Sequence, residues 1–409
     1  MLSFFKTTKN INFNLLNGYL LLLFTTIFPI SRAVASIFTV YFSLYFIFNL
    51  VSRKIPKKFL LHPLVISISL YILYMFSSNI WNGIDDKILG IKYLQWLSIF
   101  GIGLYLVRNP KYIYRVISAF ILGMFISEVL SYGIYFGFWS INGATSSMPV
   151  PFMHHIMYSM FLAVTAILLL NRLLDKEYDI KSKIFLSLFF VSISFNLFIT
   201  NGRIGQLSFI VAILVTFFLH YKIKIFTFII SMFFVLSLVF TAYKLSPNFQ
   251  NRITQAKSDI ENISHNNLNN SIGLRVAIIK ASPYIIKKHI MFGVGVGGIK
   301  SAMQTLFAQN DLNFSKPVQK FLINHHLHNQ YLQTTTEGGI VGLFLMLMIF
   351  YNLFRIKIDD NELKHISILF GVIYLIGFVG DPMLIKQFTY ILFILFMGLF
   401  IGATFKKAN

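Results

Sequence analysis

The residues whose types and spacing could do chemistry cluster in the segment 325–342, HHLHNQYLQTTTEGGIVG. Three histidines fall within four positions, at His325, His326 and His328, and Asn329 follows directly. Histidine is the side chain that most readily accepts a proton near neutral pH. The segment leads into the apolar run LFLMLMIF, which is typical of a membrane helix. We therefore predict a catalytic base at the mouth of a membrane helix, beside substrates carried by lipid.

Three glycines, Gly338, Gly339 and Gly342, stand between the histidines and the apolar run, and we predict that they open the membrane helix. A zinc site is an alternative use of the histidines, because His-x-His spacing can bind a metal. Against that alternative, the chain contains no cysteine, and acidic residues are sparse around the histidines. We therefore expect neither a metal nor another cofactor.

Two arginines and one aspartate could complete a site for a phosphorylated substrate. Arg203 follows Asn201 and Gly202 in a very short connection, and it could bind phosphate or simply anchor a helix at the membrane interface. Arg275 is followed by GVGVGG at 293–298, whose backbone could approach an anion or merely form a flexible turn. Asp381 could orient a catalytic histidine or arginine, or cap the next helix.

The composition indicates a protein that crosses a membrane many times. Of the 409 residues, 56% are hydrophobic and only 12% are charged. A soluble domain cannot hide so much apolar surface, whereas a bilayer can. About twelve segments are long and apolar enough to form transmembrane helices, which defines an all-α polytopic fold. They are predicted at 14–30, 34–51, 62–78, 89–107, 116–138, 153–170, 184–200, 204–220, 224–243, 334–354, 366–380 and 388–404.

The lysines and arginines predict how these spans are oriented. Alternate short loops and the two termini carry 20 basic residues, and the opposite short loops carry 5. Because basic loops face the cytoplasm, both termini are expected there. The same rule places one long segment on the outer face. We therefore divide the chain into nine membrane helices at 1–243, a loop domain at 244–333 and three membrane helices at 334–409.

The long outer segment is itself expected to be partly helical. Residues 248–263 read as a polar helix, and residues 275–290 alternate apolar and basic positions around Pro283. Between them, SHNNLNNS at 264–271 has the composition of a turn-rich linker. We predict one or two helices lying on the membrane surface.

With these features in place, the chain resembles the O-antigen ligase family. His328 and Asn329, then nine residues, Gly339, two residues and Gly342 match the signature His-Asn-x9-Gly-x-x-Gly. The arginine after the seventh span, the arginine early in the outer loop and the aspartate ending the eleventh span also match. The resemblance extends over the whole topology, and its specific part runs from Arg203 to Gly342.

The resemblance implies a glycosyltransferase-C-like membrane enzyme in the bacterial inner membrane, with its active site on the periplasmic face. Its donor would be a glycan on undecaprenyl diphosphate, and its acceptor a sugar hydroxyl of the lipid A core. Arg203 and Arg275 would hold the diphosphate, and His328 would activate the acceptor hydroxyl. Transfer would invert the anomeric carbon without metal or nucleotide. The predicted substrate-binding residues are Asn329, His325, His326, Gly339, Gly342 and Asp381.

Other functions share part of this pattern. An O-antigen or capsule polymerase would use a similar donor with another lipid-linked repeat as acceptor, and a related enzyme would glycosylate a protein hydroxyl. A flippase or transporter would instead require charged residues inside spans, broken helices and internal symmetry. Here the polar residues cluster on the outer side, which favours an extracytoplasmic enzyme. We expect membrane lipid as a partner and no nucleic acid.

Overall fold

A computed structural model describes residues 13–82, 93–175, 177–221, 225–265, 267–309 and 312–405. Outside these residues lie the predicted cytoplasmic termini, residues 89–92 and 224 of two predicted spans, and one position of the predicted linker. Within the described part, α-helix is the dominant structure and no strand longer than an isolated bridge is present. The prediction of an all-α polytopic protein is confirmed.

The membrane part consists of apolar helices that follow the predicted spans closely. In the described residues, eight helices are long and apolar enough to cross a membrane, and three further apolar helices are shorter. In the predicted span at 89–107, the helix Ser98–Arg108 covers most of the residues that the structure describes. In chain order, these helices are α1 Phe13–Ile27, α2 Arg32–Val51, α4 Pro63–Asn82, α5 Ser98–Arg108, α6 Ile113–Tyr135, α7 His155–Leu174, α8 Ile180–Ile199, α9 Arg203–Tyr221, α10 Ile225–Leu245, α15 Gln330–Phe354, α16 Asn361–Gly380 and α17 Gln387–Ala403. The four-residue helix α3, Lys57–Leu60, and a 3-10 turn at Pro110–Tyr112 lie in short connections.

Burial separates the inner helices from those that face lipid. The apolar window of α7 is 89% buried within the protein, whereas that of α10 is 22% buried. Large apolar side chains on α10 such as Phe226 and Phe233 are therefore exposed, as expected for a surface in contact with lipid tails. Inside, α17 packs against α5, and α9 packs against α7 and α16. Gly101 makes one close approach possible, because a Cβ there would lie 2.0 Å from the Phe42 carbonyl oxygen.

The segment between α10 and α15 contains four helices, where one or two were predicted. They are α11 Pro247–Ser264, α12 Ser271–Lys288, α13 Ile299–Ala308 and α14 Lys316–Asn324. The predicted polar helix at 248–263 corresponds to α11. Side chains from α12, α13 and α14 form a small apolar core of their own, separate from the membrane core. Because α13 and α14 are short, their periodicity in the sequence was too brief to identify them.

Helix α15 starts earlier than predicted, and the glycines do not open it. It begins at Gln330, and at Gly339 its backbone leaves the helical conformation, with φ 62° and ψ −164°. At this break the Ile340 N–H donates to the Ile290 carbonyl at 2.8 Å. A Cβ on Gly339 would lie 2.2 Å from the Met291 carbonyl oxygen. The break therefore docks the segment that contains α11 to α14 onto a membrane helix through backbone contacts.

The glycine-rich stretch at 293–298 forms the other side of this contact. The N–H groups of Val294 and Gly295 donate to carbonyls of α15 at 2.8 Å, and the Val296 N–H donates to Ser78 Oγ at 3.1 Å. The Gly297 N–H donates to Glu337 Oε1 at 3.3 Å. These donors are already satisfied within the protein, so the alternative in which this stretch binds an anion is not supported.

Candidate functional site

The centre of the site is a histidine paired with a buried aspartate. His328 lies between α14 and α15, and Asp381 follows the last residue of α16. The His328 Nδ1 atom is 3.2 Å from Asp381 Oδ1, and Asp381 is completely buried. The carboxylate can only accept, so Nδ1 carries the proton and Nε2 keeps its lone pair. The pair therefore presents a histidine whose free nitrogen can act as a base.

Asp381 also contacts two other cationic or titratable groups. Lys386 Nζ is 2.7 Å from its Oδ2, and His326 Nε2 is 3.7 Å from its Oδ1. Burial opposes ionisation of Asp381, but its interactions with His326 and His328 and the Lys386 charge hold its pKa well below the usual range. The aspartate is therefore ionised and can orient His328.

The surroundings of His328 favour its neutral form. Its partial burial lowers its pKa below the ordinary value, and this effect outweighs the opposing effect of Asp381. Its ring lies nearly parallel to that of Phe321, with centroids 5.7 Å apart. Its backbone has φ 45°, a left-handed conformation that is uncommon for residues other than glycine. Backbone strain of this kind, at a residue whose side chain is held by Asp381, is typical of functional positions.

The three histidines do not have equivalent positions. The rings of His326 and His328 have centroids 4.6 Å apart, and both approach Asp381. His325 is exposed, stacks on Phe321 and directs Nδ1 to the Phe321 carbonyl at 3.0 Å. The structure therefore separates His325 from the group formed by His326, His328 and Asp381, although its position in the sequence suggested that it belongs there.

Asn329 and the two signature glycines have positions that packing explains. Asn329 accepts a hydrogen bond from the Leu332 N–H at 2.9 Å and donates to the Val379 carbonyl at 3.1 Å. It thus caps α15 and ties it to the end of α16. Gly339 forms the backbone break, and Gly342 is buried where a Cβ would approach Tyr74 at 3.3 Å. These contacts account for all three residues without a substrate.

Arg203 and Arg275 lie within range of each other's charge, and Arg252 contacts Arg203. Arg203 begins α9, and its Nη2 donates to the Arg252 carbonyl at 3.2 Å. Burial lowers the pKa of Arg275, the Asp381 charge acts in the opposite direction, and the Arg203 charge lowers it further. Burial and the Arg203 charge also lower the pKa of Arg252. The Arg203 charge therefore lowers the pKa of both other arginines, and the three cations together form a region suited to an anion.

A cleft of about 810 Å³ adjoins the Asp381 group. Its lining includes Lys386, His154 and Arg32, and the Arg32 Nε donates to the Gln387 side chain. Burial lowers the pKa of His154, as does the Lys386 charge. Lys386 is therefore shared between the cleft and the aspartate that holds His328.

Sequence reasoning did not identify Lys386, His154 or Arg252 as parts of this site. Lys386 is five positions from Asp381, which is a usable signal, because a lysine just after a buried carboxylate is a natural ion-pair partner. His154 and Arg252 carry no such signal. Each belongs to an element that only the tertiary fold brings to the site.

His326, His328 and Asp381 could also hold a metal ion, because one ligand atom from each lies within 4.8 Å of the others. The Lys386 ammonium group, however, is 2.7 Å from the same carboxylate. A divalent cation bound there would be repelled by this charge at close range. The geometry therefore favours a proton-transfer group over a metal centre.

Comparison with known proteins gives two matches. Residues 188–347 match the family model described as O-antigen ligase. An uncharacterized protein of Haemophilus influenzae is 30% identical over 164 residues, which cover 37% of this chain and 38% of that protein. The chain thus matches well under two thirds of this relative's length. The family match includes Arg203, Arg275 and His328, whereas Asp381 lies outside it.

Proposed function

We propose, from the premise that residues 188–347 belong to the O-antigen ligase/polymerase superfamily, that this protein is an O-antigen ligase. It would transfer a glycan from undecaprenyl diphosphate to a sugar hydroxyl of the lipid A core. The reaction would take place at the periplasmic face of the bacterial inner membrane. The observation that carries the proposal is the His328–Asp381 pair, 3.2 Å apart, beside the region formed by Arg203, Arg252 and Arg275.

The three arginines suit the diphosphate of the donor. Guanidinium groups bind phosphate oxygens through paired hydrogen bonds, and the leaving diphosphate gains negative charge as the sugar departs. Arg275 is partly buried, and this removes competing water and strengthens its attraction to that charge. These groups would therefore stabilise the transition state more than the bound donor.

His328 suits the role of general base. The acceptor hydroxyl oxygen would form a bond to the anomeric carbon as the bond from that carbon to the phosphate oxygen breaks. The hydroxyl proton would pass to His328 Nε2, while Asp381 holds Nδ1 and stabilises the resulting imidazolium. Attack opposite the leaving group inverts the anomeric carbon. Neither a metal nor a cofactor is needed in this scheme.

The cleft that contains Lys386 and His154 is a suitable place for the acceptor. It adjoins the Asp381 carboxylate, and it combines cationic side chains with apolar ones such as Phe152 and Phe388. A core oligosaccharide joined to lipid and bearing anionic groups matches this mixture. In this arrangement the donor diphosphate and the acceptor hydroxyl approach His328 from different elements.

The direct test is transfer by the purified, reconstituted protein. Liposomes would contain undecaprenyl-diphosphate-linked glycan and rough lipopolysaccharide, and the elongated product would be measured on gels. Wild-type protein should form product, and the His328→Ala variant should form almost none. A deletion strain distinguishes the ligase from the polymerase. A ligase mutant should accumulate long glycan on the carrier lipid, whereas single repeats on the lipid A core would identify a polymerase and contradict the proposal.

A further inference from the structure

A second cleft, of about 840 Å³, lies at the end of the membrane helices opposite to His328. Helix α17 connects the two ends. Lys386, just before its first residue, contacts Asp381, and Thr404 and Phe405, just after its last residue, line the cleft. Its 17 residues correspond to a length of about 25 Å at 1.5 Å per residue. This approaches the hydrocarbon thickness of a bilayer, about 30 Å, so the cleft lies toward the other leaflet.

Four basic side chains line this cleft in two pairs. Lys57 and Lys58 come from α3, and Arg355 and Lys357 follow the end of α15. Among the described residues, no acidic side chain lines the cleft, and no carboxylate forms an ion pair with any of the four. The positive charge is therefore not neutralised within the described protein.

The remaining walls are largely apolar and aromatic. Leu61, Ile356 and Phe405 contribute to them, and Lys58 Nζ is 5.7 Å from the centre of the Phe405 ring. Arg355 lies over the Tyr351 ring at 5.0 Å. These aromatic contacts hold two of the cations beside apolar surface rather than extended into solvent. The ligand that fits is anionic at one end and apolar at the other.

We infer that this cleft binds an anionic phospholipid of the leaflet opposite to the active site, with a two-phosphate headgroup of the cardiolipin type. Basic pockets between membrane helices on the cytoplasmic side bind such headgroups. The two pairs of cations stand on separate elements, which suits two phosphates better than one. The positive-inside rule predicts that this face is cytoplasmic, where anionic lipids and basic loops meet.

The inference can be tested with the full chain purified in neutral detergent. Cardiolipin or phosphatidylcholine is added in equal amounts, and bound lipid is counted by native mass spectrometry. The test variant carries Lys57→Gln, Lys58→Gln, Arg355→Gln and Lys357→Gln. Its control carries Lys111→Gln, Arg115→Gln, Lys181→Gln and Lys183→Gln, which remove the same charge from the same predicted face outside the cleft.

Wild-type protein should retain cardiolipin under conditions that remove phosphatidylcholine. A basic residue near anionic lipid contributes about 1 kcal/mol, so each substitution in the cleft should weaken binding about fivefold and the four together at least about 100-fold. The control should stay close to wild type. Equal losses in both variants would indicate a general attraction to the basic face, and unchanged binding in the test variant would also overturn the inference. Displacement of cardiolipin by millimolar inorganic phosphate would assign the cleft to free phosphate. Unchanged elution on size exclusion would show that both variants remain folded.

Discussion

Replacing His328 by two different small residues separates a catalytic role from a structural one. His328 has φ 45°, and a left-handed conformation costs a non-glycine residue about 1–2 kcal/mol. Alanine keeps this strain, whereas glycine removes it. The glycine variant in turn loses about 0.5–1 kcal/mol of folding stability, because glycine gives the unfolded chain more conformational entropy. Both variants lose the hydrogen bond to Asp381. His328→Gly should therefore be more stable than His328→Ala by up to about 1.5 kcal/mol.

Activity should not follow this order of stability. A general base contributes about 10²–10⁴-fold to the rate, or roughly 2.7–5.4 kcal/mol of transition-state stabilisation. Neither alanine nor glycine can accept the proton. Both variants should therefore lose transfer activity by the same large factor, although the glycine variant unfolds at a higher temperature.

The assay is the initial rate of transfer in reconstituted liposomes, together with thermal unfolding of the same preparations. His325→Ala serves as the comparator, because His325 is exposed and does not contact Asp381. It should retain most of the activity. If His328→Gly recovered activity in proportion to its added stability, His328 would be structural. If His325→Ala lost as much activity as His328→Ala, the choice of His328 as base would be wrong.

Three further outcomes are expected from the same geometry. Asp381→Asn should lower the rate and move the acid limb of the pH profile to lower pH, because the Asp381 charge raises the His328 pKa and only neutral His328 is active; an unchanged profile would exclude this coupling. Arg275→Ala should reduce transfer about 10²–10³-fold with folding intact. Arg275→Lys should recover little of this activity because lysine lacks the planar fork of arginine, and full rescue by lysine would show that no bidentate contact is needed. Gly339→Ala should destabilise the protein by more than about 3 kcal/mol, since its backbone conformation is almost restricted to glycine and a Cβ would lie 2.2 Å from the Met291 carbonyl oxygen; wild-type thermal stability would contradict this account.

The membrane helices were predictable because lipid leaves little choice of structure. A chain in the bilayer must satisfy its backbone hydrogen bonds internally, so each long apolar run becomes a helix. α8, for example, runs from Ile180 to Ile199 where a span at 184–200 was predicted. The segment that contains α11 to α14 was harder to predict because two of its helices, α13 and α14, are short. Its core forms only when α12, α13 and α14 meet, and this is a tertiary event.

The site was predictable only in part, for a related reason. His328 and Asp381 are 53 positions apart, and their hydrogen bond depends on the end of α16 meeting the start of α15. The residue types alone left three histidines as candidates, and only the resemblance to the O-antigen ligase family singled out His328. Packing separates His325 from the other two, since His325 is exposed and stacks on Phe321. The glycines show the converse case, where a motif that suggests substrate contact is explained by close backbone packing.

The division of the site between two parts of the chain has a mechanistic consequence. The family match at 188–347 contains the arginines and His328, but the carboxylate that orients His328 and the lysine that contacts this carboxylate follow the match. Lys386 also lines the cleft proposed for the acceptor. An anionic acceptor that drew Lys386 away from Asp381 would leave that carboxylate more dependent on His328 for its hydrogen bonds. In the proposed mechanism, acceptor binding and the orientation of His328 would therefore be coupled through Lys386.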